Sequence, residues 1–351
     1  MNVLNDSHLD AVVLGLSHHV YWISAYRQFW LSEAAFILFA DGRSCLIAAS
    51  TPNDAAADNL ITFEGNWLGT HRQEQPAVVA EKAIAVLKEH KAKRIGIDAS
   101  AVTSQLAISM EGGCKPIDSE LWQLRRRKHP DELVLMKQAI RCTEAMYRRA
   151  REIITPGIPE LKVFTELNAA AVETAGEPLT ALLGNDYACG VGGGPARKDR
   201  IAEAGQIYVL DLGPAYRGYF SDNCRAFSVD RKPTDEQQRT RNAIVGVFPI
   251  IESMAKPGVR CRDIYSAAQQ HMMQAIGKEI PHHLGHGVGL QPHEFPHLNP
   301  KWDDCLIEGE IFTAEPGLYG PQINGGIRIE NQYRVTSDGV ENLVNFPTEL
   351  A

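Results

Sequence analysis

The chain changes its hydrophobic rhythm near residue 125. Between residues 10 and 50, short apolar runs (AVVLGL, HHVYWISAY, AAFILFA and SCLIAAS) are separated by polar turns such as DGR. VVAEKAIAVLKEH (78–90) carries its apolar residues at helical spacing, and the RIGIDAS segment after it reads as an apolar strand. This mixture predicts a small α/β domain over residues 1–125. LWQLRRRKHPDE then bunches cations and ends in Pro130, Asp131 and Glu132, which suit the first turn of a helix over roughly 131–153. A second domain is expected over 126–351.

That second part contains a weak internal repeat. TPGIPELKVFTELNAAAVETAG (155–176) matches KPGVRCRDIYSAAQQHMMQAIG (256–277) at a constant offset of 101, pairing Pro156 with Pro257, Gly157 with Gly258 and Gly176 with Gly277. Each copy reads as a Pro-Gly turn feeding an amphipathic helix, followed by strand-like, Gly-rich sequence. Pro-Gly turns before helices are common, so the match also has an ordinary explanation. Read as a duplication, it predicts two helix layers around one curved antiparallel sheet.

Two stretches bracket carboxylates symmetrically about turn-rich sequence. In YVLDLGPAYRGYFSDNCRAF (208–227) these are Asp211 and Asp222; in FTAEPGLYGPQINGGIRIENQYRV (312–335) they are Glu315 and Glu330. Directly opposed residues of a hairpin have Cβ atoms roughly 5 Å apart, and like charges so placed destabilise the sheet unless compensated. Between the two stretches HHLGHGVGLQPHE (282–294) sets His286 among Gly285, Gly287 and Gly289. Taken singly, each residue has an ordinary role: Asp222 as a turn cap, Glu315 as a solvated acid, Glu330 as a partner of Arg328 or Arg334, His286 as a turn residue. Taken together, two Asp, two Glu and one His form an oxygen-rich set suited to divalent metals.

Composition narrows the class without identifying it. The 351 residues exceed what a single core usually supports, and 44% hydrophobic with 22% charged residues is an ordinary globular balance. A net charge of −8 argues against nucleic acid or a membrane surface as partner. The start MNVLNDSHLDAVVLGL shows no secretory leader pattern, and no apolar run approaches the roughly 20 residues of a transmembrane helix. Seven scattered cysteines without CxxC spacing read as reduced thiols of a cytoplasmic protein.

These motifs resemble the pita-bread metallohydrolases, which include prolidase, Xaa-Pro aminopeptidase, methionine aminopeptidase and the metal-free creatinase. DLGPAYRGYFSD, HHLGHGVGLQPHE, TAEPGLY and GIRIEN match that family's four motifs in order, and HHVYWISAYR resembles a strand of the creatinase-like amino-terminal domain. The resemblance implies an α+β fold, a pita-bread catalytic domain of pseudo-duplicated helices on a curved antiparallel sheet, preceded by a creatinase-like α/β domain. It implies two divalent ions held by Asp211, Asp222, His286, Glu315 and Glu330, with Asp222 and Glu330 bridging. Mn²⁺ is the expected ion, with Co²⁺, Zn²⁺ or Fe²⁺ as alternatives.

The implied activity is that of an aminopeptidase or dipeptidase cleaving Xaa-Pro peptides through a metal-bridging hydroxide. Glu315 is expected to move the proton, His293 to face the substrate carbonyl, His282 to shape the pocket, and Arg328 to orient the bridging carboxylates. A small peptide substrate and a homodimer are further implications. Three departures bear on this. Ala196 follows Pro195 where many peptidase relatives carry a substrate-contacting histidine, Cys224 stands in place of the common Thr, and Asn331 in place of Asp. They leave open a creatinase-like member cleaving a small-molecule C–N or C–S bond, and a non-catalytic peptide-binding form.

Overall fold

The computed structural model describes residues 2–51, 55–110 and 113–351, and the chain divides into two compact units, Met1–Trp122 and Gln123–Ala351. The first unit runs α1 (Asn2–Asp6), β1 (Ala11–Leu14), α2 (Ser17–Ser24), β2 (Ala34–Phe39), β3 (Ser44–Ala48), β4 (Asn59–Thr62), β5 (Asn66–Trp67), β6 (Thr70–His71), α3 (Gln75–Glu89), β7 (Ile95–Ile97), α4 (Ala101–Ser109) and β8 (Cys114–Pro116). A six-stranded mixed sheet forms in the order β4-β3-β2-β1-β7-β8. Its inner strands β1, β2 and β3 are almost wholly apolar because both faces are covered, while the edge strands β4 and β8 are more exposed. Ala11, Val13, Ala35, Ile37 and Ile47 pack with Val79, Ala83 and Leu87 of α3 and Val102 and Leu106 of α4. Val12 and Leu14, of opposite parity, pack with Leu4 and Leu121.

One element departs from expectation. HHVYWISAY does not continue as a strand: Ser17–Ser24 is helical, closed by Ala25 in the left-handed region (φ 58°). Val20, Tyr21, Trp22 and Ile23 favour strands by residue type, yet the buried positions His19, Val20 and Ser24 follow a helical period. Burial of that face decided the outcome.

The second unit is reached through α5 (Asp118–Arg126), which spans the division, and α6 (Pro130–Ile153), whose Glu132 Oε2 accepts from the His129 N–H at 2.9 Å. It continues with α7 (Glu160–Ala175), β9 (Ala181–Cys189), β10 (Ile207–Tyr216), β11 (Tyr219–Phe220), β12 (Asn223–Ser228), α8 (Asp235–Val245), α9 (Val247–Met254) and α10 (Cys261–Ile276). The remaining strands are β13 (Gly285–Gly287), β14 (Glu294–Leu298), β15 (Ile311–Ala314), β16 (Gly317–Gly320), β17 (Gly325–Arg328), β18 (Asn331–Val335) and β19 (Val340–Asn342). All of these strand pairings are antiparallel.

The duplication is visible in the helices. From Glu160 to Cys261, and from Ala175 to Ile276, is the same 101-residue step, and the two helices end on left-handed Gly176 (φ 70°) and Gly277 (φ 66°). Each half has its own core. Tyr208, Leu210 and Leu212 of β10 face Met146, Val163 and Leu167 of α6 and α7. In the other half Phe312, Ala314 and Tyr333 face Val247, Ile264 and Ala268. The two ladders join where Glu330 N–H donates to Cys224 O at 2.9 Å and Ile207 N–H to Asn324 O at 3.0 Å. Because side chains alternate along a strand, the odd-numbered positions of β10 face away from α6 and α7. Asp211 is one of them.

Candidate metal centre

The two carboxylate pairs meet differently from their sequence symmetry. Glu315 and Glu330 continue the register of β16–β17 and of β15–β18, where Gly317 faces Arg328 and Ala314 faces Asn331, so they stand opposite each other as expected. Asp211 instead faces Cys224, and the same register puts Asp222 across from Gly213, two positions away on the same face. That offset makes the pair diagonal neighbours, and Gly213 lets the strands close up between them: a Cβ there would lie 2.9 Å from Ser221 O. The residue directly opposed to Asp211 is Asp186, on β9. The cation between those two is a guanidinium, since Arg328 Nη2 donates to Asp186 Oδ2 at 2.6 Å and to Asp211 Oδ2 at 2.7 Å.

His286 is carried in by β13, whose glycines permit a very close approach of neighbouring chain. A Cβ on Gly285 would overlap Thr313 O, and one on Gly287 would overlap Phe295 O. The imidazole Nδ1 lies 2.9 Å from Gly287 O, which fixes Nδ1 as the protonated nitrogen and turns the Nε2 lone pair toward the acids. Nε2 lies 3.4 Å from Glu315 Oε1 and 3.7 Å from Asp222 Oδ2. Asp211, Asp222, His286, Glu315 and Glu330 are all at most 8% exposed. Their ligand atoms form overlapping groups, Asp211–Asp222–Glu330 and His286–Glu315–Glu330, each within 4.8 Å, with Glu330 common to both.

This chemistry fits bound divalent metal. Burial drives the Glu330 and Asp222 carboxyls well above the usual range, and the neighbouring acids add to it. Glu315 is pushed up to about 8 by burial, with Arg328 opposing and Asp211 adding to the rise. Burial, with His293 alongside, brings His286 down to about 3, so its ring is neutral and ready to coordinate. Glu315 Oε1 and Glu330 Oε1 are buried without a hydrogen-bond partner among the described residues. Buried oxygens of this kind are costly unless something positive meets them.

The other expected residues sit around this core. His293 stacks on His286 with ring centroids 3.7 Å apart, stays exposed, and forms a third donor group with Asp222 and His286. His282 faces away from the acids: its Nε2 lies 3.0 Å from the Tyr319 hydroxyl, which accepts from Arg328 Nη1 at 3.0 Å. The adjacent His283 is nearer the carboxylates, with Nδ1 3.5 Å from Glu315 Oε1. Arg328 pairs with Asp211 and Asp186 and reaches Glu315 Oε2 at 3.8 Å, so its partners are not the two acids expected to bridge. An open cleft of about 820 Å³, bordered by Tyr265, Glu279, His282, His283, Lys301 and Trp302, adjoins the site.

The three departures have local explanations. Ala196 packs against the α6–α7 core, while Arg197 and Lys198 beside it are exposed. Cys224 is fully buried, and burial holds its thiol well above the ordinary value, so it is protonated and inert. Asn331 Oδ1 accepts from buried Arg225 at 3.0 Å, so the amide serves that arginine. Asp186 and Tyr319 were given no role on sequence grounds. Tyr319 lies within a quoted motif; Asp186 is marked only as an acid beside Asn185 in the largely apolar stretch ALLGNDYAC.

Comparison with known proteins agrees with this geometry. Residues 134–337 match the model of metallopeptidase family M24, and residues 2–127 that of the creatinase/prolidase N-terminal domain. A Xaa-Pro dipeptidase of Pyrococcus horikoshii is 30% identical over 239 residues, 67% of either chain. An uncharacterised peptidase of Staphylococcus aureus is 26% identical over 98% of this chain and 97% of its own. The fold superposes on a Xaa-Pro dipeptidase from Bacillus anthracis with TM-score 0.82 at 22% identity, covering 99% of this chain and 96% of that one. It superposes on prolidase from Pyrococcus furiosus with TM-score 0.79, again at 22% identity and with 99% of each chain covered. The chain therefore belongs to metallopeptidase family M24, with a creatinase/prolidase amino-terminal domain and a pita-bread domain that carries the acids and the histidine.

Proposed function

We propose that the protein is a dinuclear metal-dependent peptidase acting on Xaa-Pro peptides, as aminopeptidase or dipeptidase. The observation that carries this is the convergence of five buried donors, two of whose oxygens have no hydrogen-bond partner among the described residues. Asp211, Asp222 and Glu330 would hold one ion and His286, Glu315 and Glu330 the other, with Asp222 close enough to His286 to be shared. Mn²⁺ suits four carboxylates and one imidazole. Bound divalent ions supply an activated water and polarise the scissile carbonyl.

The protein's own groups do the rest. Glu315, held high by burial, accepts the nucleophile's proton and returns it to the leaving nitrogen. His293, exposed and stacked on His286, offers an N–H to the developing oxyanion. Arg328 fixes Asp211, and Tyr319 couples Arg328 to His282 at the edge where substrate enters. Pairing of two copies as a homodimer belongs to the same reading.

A second reading rests on Ala196. Many peptidase relatives carry a substrate-contacting histidine at that position, and without it a small non-peptide substrate bearing a C–N or C–S bond is the alternative. The test is a Mn²⁺-dependent screen of Xaa-Pro dipeptides against Xaa-Pro-Xaa tripeptides, with metal content measured and Asp222→Asn as control. Hydrolysis that needs Mn²⁺ and disappears in the variant is expected. Full metal loading with no turnover of either peptide favours the small-molecule reading, and unchanged turnover by the variant overturns the mechanism.

A further inference from the structure

One buried charge beside the acids is left without a role by this chemistry. Asp186 is 8% exposed and lies directly opposite Asp211 in the β9–β10 ladder. Both its oxygens are engaged. Oδ2 accepts from Arg328 Nη2, the same nitrogen that donates to Asp211. Oδ1 accepts from the Gly194 N–H at 2.5 Å, and Tyr187 N–H returns a bond to Gly194 O at 2.8 Å. The carboxylate is thus clamped under the Gly192–Gly194 turn. A Cβ on Gly193 would lie 2.5 Å from Asp186 Oδ1, and a Cβ on Gly192 would lie 3.3 Å from the Tyr319 ring.

We infer that Asp186 is a positioning residue: it latches the glycine turn against the site and divides Arg328 between two acids, which sets how Asp211 presents itself to a cation. An –NH₂ group of a guanidinium carries two hydrogens, and here each has its own carboxylate. That arrangement fixes the orientation of Asp211 on one side. It also leaves Asp211 less neutralised by Arg328 than in an exclusive pair, and so a stronger donor. Without the Asp186 charge, Arg328 keeps Asp211 as its 2.7 Å partner, with Glu315 Oε2 farther off at 3.8 Å. The effect falls chiefly on the Asp211–Asp222–Glu330 group and reaches His286–Glu315–Glu330 only through the shared Glu330 and that longer contact. Loss of an outer partner of this kind weakens metal affinity by about 10- to 100-fold.

The inference rests on Asp211 being a ligand, and the experiment keeps the two apart. Mn²⁺ is titrated calorimetrically into metal-stripped wild type, Asp186→Asn and Gly193→Ala, with melting temperature and amide exchange at residues 187–194 followed in parallel. Gly193→Ala displaces the same carboxylate from the turn side, so a poorly folding Asp186 variant does not end the test. The expected result is two wild-type binding steps, of which one weakens at least about tenfold in the variants while the other holds, with faster exchange at Gly194. Both steps unchanged, or both weakened together with a fall in melting temperature, overturns the inference. If wild type binds no Mn²⁺, the reading of Asp211 as a ligand fails by itself. The latch is then decided by exchange at Gly194 alone: faster in Asp186→Asn supports it, unchanged overturns it.

Discussion

Replacing Glu330 with glutamine removes one charge from the point where both donor groups overlap, and its consequences for metal-free and metal-loaded protein have opposite signs. Glu330 is 1% exposed, has an unpartnered Oε1, and faces Asp222, Glu315 and Asp211. Burial and those neighbours raise its carboxyl well above the ordinary value. A raised folded-state value means stability that is complete below the unfolded-state value near 4.5 and declines as pH rises toward the folded one. A buried charge left without a partner destabilises a fold by about 3–5 kcal/mol, so near neutrality the metal-free fold carries a burden of that order. Glutamine does not ionise and removes that burden.

At about 2–4 °C per kcal/mol for a unit of this size, the metal-free melting temperature of Glu330→Gln should rise by on the order of 5 °C at pH 7.5. The gain from Mn²⁺ should shrink at the same time. In wild type, ligand at 100 times its Kd adds about 2.7 kcal/mol per site, and the variant loses the donor common to both sites. Calorimetric scans of chelator-treated and Mn²⁺-loaded protein read both effects. A variant that melts lower without metal and keeps the full Mn²⁺ increment would refute the reasoning, because Glu330 would then be an ordinary structural acid.

Other outcomes follow from the same geometry. Mn²⁺ affinity should rise from pH 6 to pH 8, with protons released on binding. Glu315 must lose a proton held up to about 8, whereas His286, held down to about 3, is already neutral. Titration in buffers of different ionisation enthalpy measures that release, and a pH-independent affinity without proton release contradicts it. Gly285→Ala should cost several kcal/mol and abolish metal binding, because the methyl overlaps Thr313 O and β13 cannot seat His286; normal metal content in a stable variant would contradict this. Tyr319→Phe removes the hydroxyl between His282 and Arg328 and should lower kcat/KM about tenfold with metal content intact, since the bond to the charged Arg328 contributes about 1.5–3 kcal/mol. Unchanged kcat/KM would remove His282 from the substrate side.

What could be read in advance followed chemistry that is local in sequence. Asp211, Asp222, His286, Glu315 and Glu330 stood in short motifs, and the structure brings all five into overlapping donor groups. The repeat fixed α7 and α10 because a Pro-Gly turn and a terminal glycine bound each helix in both copies. Sequence symmetry misjudged the pairing of Asp211, since the tight turn at Arg217 and Gly218 shifts the register by two and puts Cys224 opposite. Asp186 was invisible for a related reason. Seventeen residues separate Cys189 from Ile207, and nothing in that connection specifies which residue of β9 meets Asp211. HHVYWISAY misled because its resemblance pointed to a strand, while burial of one face made a helix.

The most direct test of the account is a crystal of the protein soaked in Mn²⁺ and measured on both sides of the manganese absorption edge. Two anomalous peaks about 3.5–4 Å apart, one against Asp211 and Asp222 and the other against His286 and Glu315, with Glu330 touching both, are the expected result. A clear map with no peak among these five side chains, or with manganese bound elsewhere on the chain, would contradict it.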